Sequence, residues 1–524
     1  MSTEYGVPED TARTSMSGAS DMTLADERNP DMLQSPWALT SYAMVLVPTI
    51  TFSILLPWSA TFCMHNADSL LTAIISVTKI TPYYWAQNRF GNLLPIMTSW
   101  ITNIDANFMT QVTLRSLFAT ATPFVCILIM KPRAPLAMTF GFTLTLLLIC
   151  LTPSTIHTFW IAGQPYGTSA ALLAAAIAVT NLRGQAPLAT VIRWIAAFAL
   201  LLTAMWVNLS LLLFTGPLFV LLALTLRSHQ FAGLAALSIV SYAIMDLHAI
   251  WVGGEQDLKD LGFTLTLDNL STARLALLSS CRSAAFVLAV FASAALCLVS
   301  LRRRDYSFSI AGIALMTAAV AAIFVIANID WVKFWVFNPR YFSLPLVIAI
   351  STCGVLISEA LWTMIPLIRE VAAAAGASIS ILTLAAITLP LDKACPTYHI
   401  PIAPGGKQNI FSATLKMEDF DITLVSGKYW IVWPIVFDIM RQDSRHRAFG
   451  LAKRGQAASD AIKSALRNAG SAGLICFEAT RDGCFTWYAR ILGTRATGES
   501  MVGEALVEGS IAGQHYQVIP LVNP

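Results

Sequence analysis

The chain has 524 residues, 56% of them hydrophobic and 12% charged, and its mean hydropathy is +0.65. A soluble fold, in which roughly a quarter of residues carry charge, could not hide that much apolar surface. The net charge of +3, with no basic run beyond Arg302-Arg303-Arg304, excludes nucleic acid as a partner.

Residues 1–35 are rich in Ser, Thr, Asp and Glu and lack a basic segment followed by a short apolar core, so they are expected to form a disordered cytoplasmic tail. Apolar runs then recur near residues 38–62, 108–130, 134–152, 168–182, 190–207, 209–226, 231–252, 274–300, 308–328, 342–364 and 371–391. Together they predict a polytopic α-helical membrane protein with about eleven spans over residues 36–392, followed by a small soluble α+β domain over 393–524. Alternate connections carry Lys131 and Arg133, Arg183 and Arg193, Arg227, Arg302 to Arg304, and Arg369, which marks them as cytoplasmic. The N-terminus shares that side, and an odd number of spans puts the C-terminal domain outside.

The outer connections carry the candidate chemistry. The first is about 45 residues long and predicts two interfacial helices, Asp68 to Lys79 and Tyr83 to Trp100. Asp68 opens the first, where it is either a helix N-cap or a general base. The run Tyr83-Tyr84-Trp85-Ala86-Gln87-Asn88-Arg89-Phe90-Gly91-Asn92-Leu93-Leu94-Pro95 is either an aromatic belt with one snorkelling Arg or a headgroup site. In the second reading Lys79 and Arg89 hold an anion while Tyr84 and Gln87 face the substrate.

Further along, Asp330 to Phe342 again mixes basic and aromatic groups, with Lys333, Arg340 and Tyr341 as candidate ligands and Pro339 suited to a helix N-terminus. Arg282 is expected about two turns inside the eighth span, facing Asp246 and His248 on the seventh as an ion pair or across a cavity.

In the C-terminal domain, Asp421 to Trp433 and Leu474 to Ile491 carry strand composition and Ala457 to Asn468 helical character. Cys476 and Cys484 flank an Asp482-Gly483 turn signal, and a hairpin there would join the two sulfurs in a disulfide, which needs an oxidising compartment.

An inside N-terminus, a long first outer loop, an Asp just after the first span, the Tyr-Tyr-Trp-Ala-Gln-Asn-Arg-Phe-Gly-Asn-Leu-Leu-Pro run, Asn338-Pro339-Arg340-Tyr341 before a late span and an outer soluble domain together resemble the GT-C integral-membrane glycosyltransferases. The resemblance implies inverting transfer of a hexosyl or pentosyl group from a polyprenyl-phosphate carrier to a glycan or glycolipid acceptor, in contact with membrane lipid, at the outer face of a bacterial inner membrane. It makes Asp68 the catalytic base and Lys79, Arg89 and Arg340 the phosphate ligands. Some members carry paired acids after the first span, whereas Asp68 is followed by Ser69, so no cofactor or metal ligand is assigned and a divalent cation stays an alternative. The competing readings are a polysaccharide polymerase or ligase and a lipid-linked-sugar transporter or flippase. The first relies on arginines in large central outer loops and the second on repeated halves around a midplane site.

Overall fold

Proline and basic residues punctuate the apolar runs. Pro123 and Pro187 stand at the first helical positions of two helices, where a missing N–H costs nothing. Lys131 and Arg227 end two others in the left-handed conformation (φ 51° and 49°), which turns the chain and sets a cation against the last carbonyls.

The computed structural model describes residues 67–85, 87–182, 186–252, 262–282, 306–334, 338–364, 420–442, 447–477, 481–492, 507–511 and 514–521, with isolated positions between 50 and 54 and between 287 and 296. Six stretches among them are long and apolar enough to cross a membrane: Ile104–Met130, Pro187–Val207, Leu209–Leu226, His229–Trp251, Tyr306–Ala327 and Pro339–Thr363. Leu136–Cys150 and Tyr166–Asn181 are shorter apolar helices at two further expected positions. The expected spans at 371–391 and, for the most part, 38–62 lie outside the described residues.

Pro339–Thr363 is central, 83% of its apolar window being buried, whereas Pro187–Val207 and His229–Trp251 bury only 22% and 28% and present Leu188, Ile192, Ile195 and Leu247 outward, as lipid-facing helices do. The buried Glu359 carboxylate is satisfied by the backbone N–H groups of Arg133 and Ala134 at 2.7 and 3.0 Å.

Three expectations are corrected. Residues 274–300 do not begin as one span: the helix Leu267–Ser280 carries Asp268 and Arg274, exposes Leu275, and stops at Cys281, which turns extended to bridge Leu151. Arg282 is therefore outside any helix, exposed, with its backbone N–H on the Cys150 carbonyl at 2.7 Å.

The second correction concerns the first outer loop. Its first helix, α1 (Ala67–Thr78), forms but is buried on nearly all sides instead of lying on the interface. The stretch from Tyr83 is not helical at its start. It is a hairpin of β1 (Tyr83–Tyr84) and β2 (Gln87–Gly91), followed by the six-residue helix α2 (Leu93–Thr98). Asn92 enforces this: its side-chain amide donates to the carbonyls of Thr81 and Tyr83 at 3.0 and 2.6 Å, pinning the loop after Pro82 in place of a helical turn.

The third lies in the soluble domain. Strands β3 (Ile422–Ser426), β4 (Arg447–Leu451) and β5 (Ala472–Cys476) are parallel and joined by the helices α3 (Tyr429–Gln442) and α4 (Ser459–Arg467). A hairpin of β6 (Val507–Ile511) and β7 (Gln514–Leu521) adds antiparallel, giving the order β4-β3-β5-β7-β6. Every residue of β3 and β5 is buried, as in a sheet covered on both faces. The aromatic residues read as strand, Trp430 and Trp433, belong to α3, and residues after Arg481 form α5 (Arg481–Leu492). The expected Cys476–Cys484 disulfide is present with Cα atoms 5.8 Å apart, but it ties β5 to the first turn of α5, not two strands of a hairpin.

The α3 helix packs on α1 and closes it from water. Trp433 meets Trp85 edge-on at 5.9 Å and Phe437 meets Phe108 at 5.4 Å, contacts worth roughly 0.5–1.5 kcal/mol each beyond their buried area. Two exposed ion pairs cross the same junction, Arg441–Asp105 at 2.9 Å and Lys79–Asp460 at 3.5 Å. Pairs of that kind contribute about 0–1 kcal/mol, so the docking is apolar in origin.

Candidate active site

Where α1, the hairpin, the membrane helices and the soluble domain meet, they line a cavity that opens to solvent, with about 670 Å³ of empty space including that opening. Its lining includes Asp68 and Thr72 from α1, Tyr84, Phe90 and Gly91 from the hairpin, Arg115 from Ile104–Met130, Gly163 to Pro165, Arg340 and Tyr341, and Arg454 from the soluble domain. Asp68 is the one carboxylate among these lining residues, against three guanidinium groups. Among the described residues no three His, Cys, Asp or Glu side chains gather as a metal site would require.

Asp68 sits in the first turn of α1 with its side chain 14% exposed. Its Oδ1 accepts from the Tyr429 hydroxyl at 2.6 Å and from Arg454 Nη1 at 3.1 Å, while among the described residues Oδ2 has only Arg340 Nη1, at 3.6 Å. Tyr84 donates its hydroxyl to the Asp68 backbone carbonyl at 3.1 Å. Gly163 lies against that same carbonyl: a Cβ there would sit 2.7 Å from it.

Arg454 is clasped. Its guanidinium carbon lies 4.8 Å from the ring centres of both Tyr84 and Tyr429, and Nη1 also donates to the Tyr429 hydroxyl at 2.8 Å. Burial pushes the Tyr84 and Tyr429 phenols well above their usual range, so both keep their protons and remain donors. Burial opposes the charge on Arg454, but Tyr429, Tyr84 and Asp68 outweigh it and the guanidinium is held more firmly protonated than usual. The residue has φ 79°, a left-handed conformation that costs an ordinary residue on the order of 1 kcal/mol. Strain of this sort collects at functional sites.

Arg340 and Arg115 hold the other walls. Arg340 donates to the Tyr341 hydroxyl at 2.9 Å, Tyr341 in turn accepts from Trp331 at 3.0 Å, and the buried Arg340 Nε has no partner among the described residues. Arg115 is 2% exposed and donates to the Ile161 carbonyl at 2.8 Å, at the end of a π-helical turn, His157–Ile161, but has no ion pair among the described residues. A buried cation without a counter-charge costs several kcal/mol, and an anion in the cavity would offset that cost.

Of the residues singled out from sequence, the cavity brings together Asp68, Tyr84, Arg340 and Tyr341. Lys79 is instead paired with Asp460, and Lys333 with Asp330 at 2.9 Å and the Thr264 carbonyl at 3.2 Å; neither lines the cavity. Arg282 is outside it as well, and His248 bonds the Tyr83 hydroxyl at 2.8 Å. Gln87 and Arg89 lie on β2, next to the lining residues Phe90 and Gly91, but their side chains fall outside the described residues.

No family model matches the chain, and no curated protein matches it. Solved structures do. ArnT from Cupriavidus metallidurans bound to undecaprenyl phosphate superposes with a TM-score of 0.52 over 93% of this chain and 98% of that one, at 12% identity. The apo state of the same protein gives 0.50 at the same identity and coverage. The fold is ArnT-like. At 12% identity the likeness to ArnT speaks for architecture: a multispan helical membrane domain carrying an α/β sheet domain, as the GT-C resemblance implies.

Two charged cavity residues had no role in the reading from sequence. Arg115 carried a usable signal, a lone charge inside the apolar run 108–130, which is costly unless it serves a purpose. Arg454 had none, because its place in the cavity depends on contact with a residue 386 positions away.

Proposed function

We propose that the chain is a membrane glycosyltransferase that moves a sugar from a polyprenyl-phosphate carrier to a hydroxyl of a cell-envelope glycan or glycolipid. The observation that carries this reading is the meeting, in one cavity, of a carboxylate whose Oδ2 accepts no hydrogen bond among the described residues with three guanidinium groups, of which the buried Arg115 has no ion pair among the described residues. The undecaprenyl phosphate bound by ArnT supports the class of carrier.

In this reading Asp68 Oδ2 takes the proton of the acceptor hydroxyl as its oxygen bonds the anomeric carbon. The bond from that carbon to the carrier phosphate breaks on the opposite face, so the configuration inverts. Arg340 and Arg115 meet the negative charge that develops on the leaving phosphate, and Arg89, beside the cavity wall, is assigned to the same group. No proton needs to reach the phosphate, since it leaves as an anion.

The domain limits follow the same reading: a tail over 1–35, a catalytic membrane domain over 36–392 and a soluble domain over 393–524. The Cys476–Cys484 disulfide supports a periplasmic soluble domain, and the basic connections support a cytoplasmic N-terminus in a bacterial inner membrane.

The test is transfer of labelled sugar from a panel of polyprenyl-phosphate sugars by membranes containing the parent protein, Asp68→Asn or Arg340→Ala at matched expression. Each variant should lose transfer by on the order of a hundredfold or more. Parent-level transfer by Asp68→Asn would remove the base assignment, and a parent inactive over the whole panel would remove the transferase reading.

A further inference from the structure

The Asp68 carboxylate is held unevenly. Oδ1 receives two donors, the Tyr429 hydroxyl at 2.6 Å and Arg454 Nη1 at 3.1 Å, and both come from the soluble domain. Oδ2 receives no hydrogen bond among the described residues, its nearest cation being Arg340 Nη1 at 3.6 Å. A carboxylate rotates about its Cβ–Cγ bond unless something fixes it, and two directional donors on one oxygen also define where the other points.

The donors are themselves fixed. The Arg454 guanidinium lies against two phenol rings, each 4.8 Å away, and its Nη1 spans Asp68 and the Tyr429 hydroxyl. A planar guanidinium can stack on both faces and still direct its N–H groups in plane, which an ammonium cannot. Arg454 holds this position from a left-handed backbone, φ 79°.

We infer that Tyr429 and Arg454 are positioning residues of the transfer reaction: by occupying Oδ1 they turn Oδ2 toward the acceptor hydroxyl, so the soluble domain completes the active site. This rests on the transferase reading above. It gives the soluble domain a part in the chemical step.

The test is steady-state transfer by the purified full chain in lipid nanodiscs, with kcat and donor KM measured for Tyr429→Phe, Arg454→Ala and Arg454→Lys, each also melted thermally. Tyr429→Phe keeps the ring and removes one hydrogen bond to a charged group, so kcat should fall on the order of tenfold or more with KM within about twofold. Arg454→Ala should lose more and recover part of its kcat when free guanidinium ion is added. Arg454→Lys should not match the parent. In an Asp68→Asn background, Tyr429→Phe should have almost no further effect, since the two act as a unit.

An unchanged kcat in Tyr429→Phe, a loss confined to KM, or equal losses with and without Asp68 would overturn the inference while leaving the transferase reading intact. Should Arg454→Ala fail to fold, the Tyr429→Phe cycle decides alone. Absence of transfer by the parent would end both readings together.

Discussion

The Tyr429 hydroxyl donates a 2.6 Å hydrogen bond to Oδ1 of Asp68 across 361 residues of sequence. One residue lies in the first turn of α1 and the other opens α3, which covers it, so the carboxylate and its environment come from distant parts of the chain.

Docking of the soluble domain should be far more sensitive to its rings than to its charges. Trp433→Ala removes a buried ring packed on Trp85 and Tyr429, and should destabilise the fold by about 3–5 kcal/mol. Arg441→Ala or Asp460→Asn should each cost no more than about 1 kcal/mol. Thermal melting of the purified protein separates the two; a larger loss from either charge change would mean the junction is electrostatic.

Arg115 should show opposite signs in stability and function. Arg115→Met replaces a buried cation by an apolar chain of similar length and should leave the melting temperature unchanged or raise it. The same change should weaken binding of undecaprenyl phosphate about tenfold or more while leaving the unphosphorylated alcohol unaffected. Equal weakening for both lipids would mark Arg115 as a packing residue.

At Gly163 the prediction is steric. A methyl group there meets the Asp68 carbonyl, so Gly163→Ala must push the start of α1 away. A displacement of the order of 1 Å at a reacting group costs about a hundredfold in rate. The loss should appear in kcat of transfer with the melting temperature nearly unchanged, and parent-level kcat would show that α1 can yield without moving its carboxylate.

Tyr83 should give the fold an alkaline limit. Burial, with Asp246 adding to it, pushes its phenol up to about 12, and its hydroxyl meets His248 Nδ1 at 2.8 Å. Folding therefore favours the protonated phenol. That contribution is complete below the unfolded value of about 10 and is lost as pH rises to about 12. Tyr84 and Tyr429 act in the same direction, so melting temperatures across this window should fall steeply in the parent and less steeply in Tyr83→Phe. Parallel curves would show that Tyr83 ionises as freely folded as unfolded.

Much of the architecture was legible because lipid imposes a length and a composition on any helix that crosses it. Ile104–Met130, Pro187–Val207 and Tyr306–Ala327 each fall close to an apolar run visible in the residues alone. Where side chains decide the backbone, the reading failed. Asn92 turns Tyr83 onward into a hairpin through amide bonds that leave no periodicity behind. The 274–300 run read as one span because Leu267–Ser280 and the residues after it share apolar character, while the break at Cys281 is made by backbone pairing with Leu151. At the site, Asp68, Arg340 and Tyr341 were visible because charged and aromatic groups beside a span are costly to keep. Lys79 met the same criterion, yet its partner Asp460 lies in another domain.

The order β4-β3-β5-β7-β6 also has a bearing on how the protein is made. Strand β5 sits inside the sheet with β7 as its neighbour, so the sheet cannot close until residues 514–521 have left the ribosome. Asp68 is synthesised 386 residues before Arg454, an interval of roughly 20–80 s at ordinary translation rates. Through that interval α1 lacks the cover that α3 gives it, and Asp68 lacks both donors on its Oδ1. If the site acts as proposed above, it stays incomplete until the soluble domain folds onto the first loop, and competence for transfer follows that docking step.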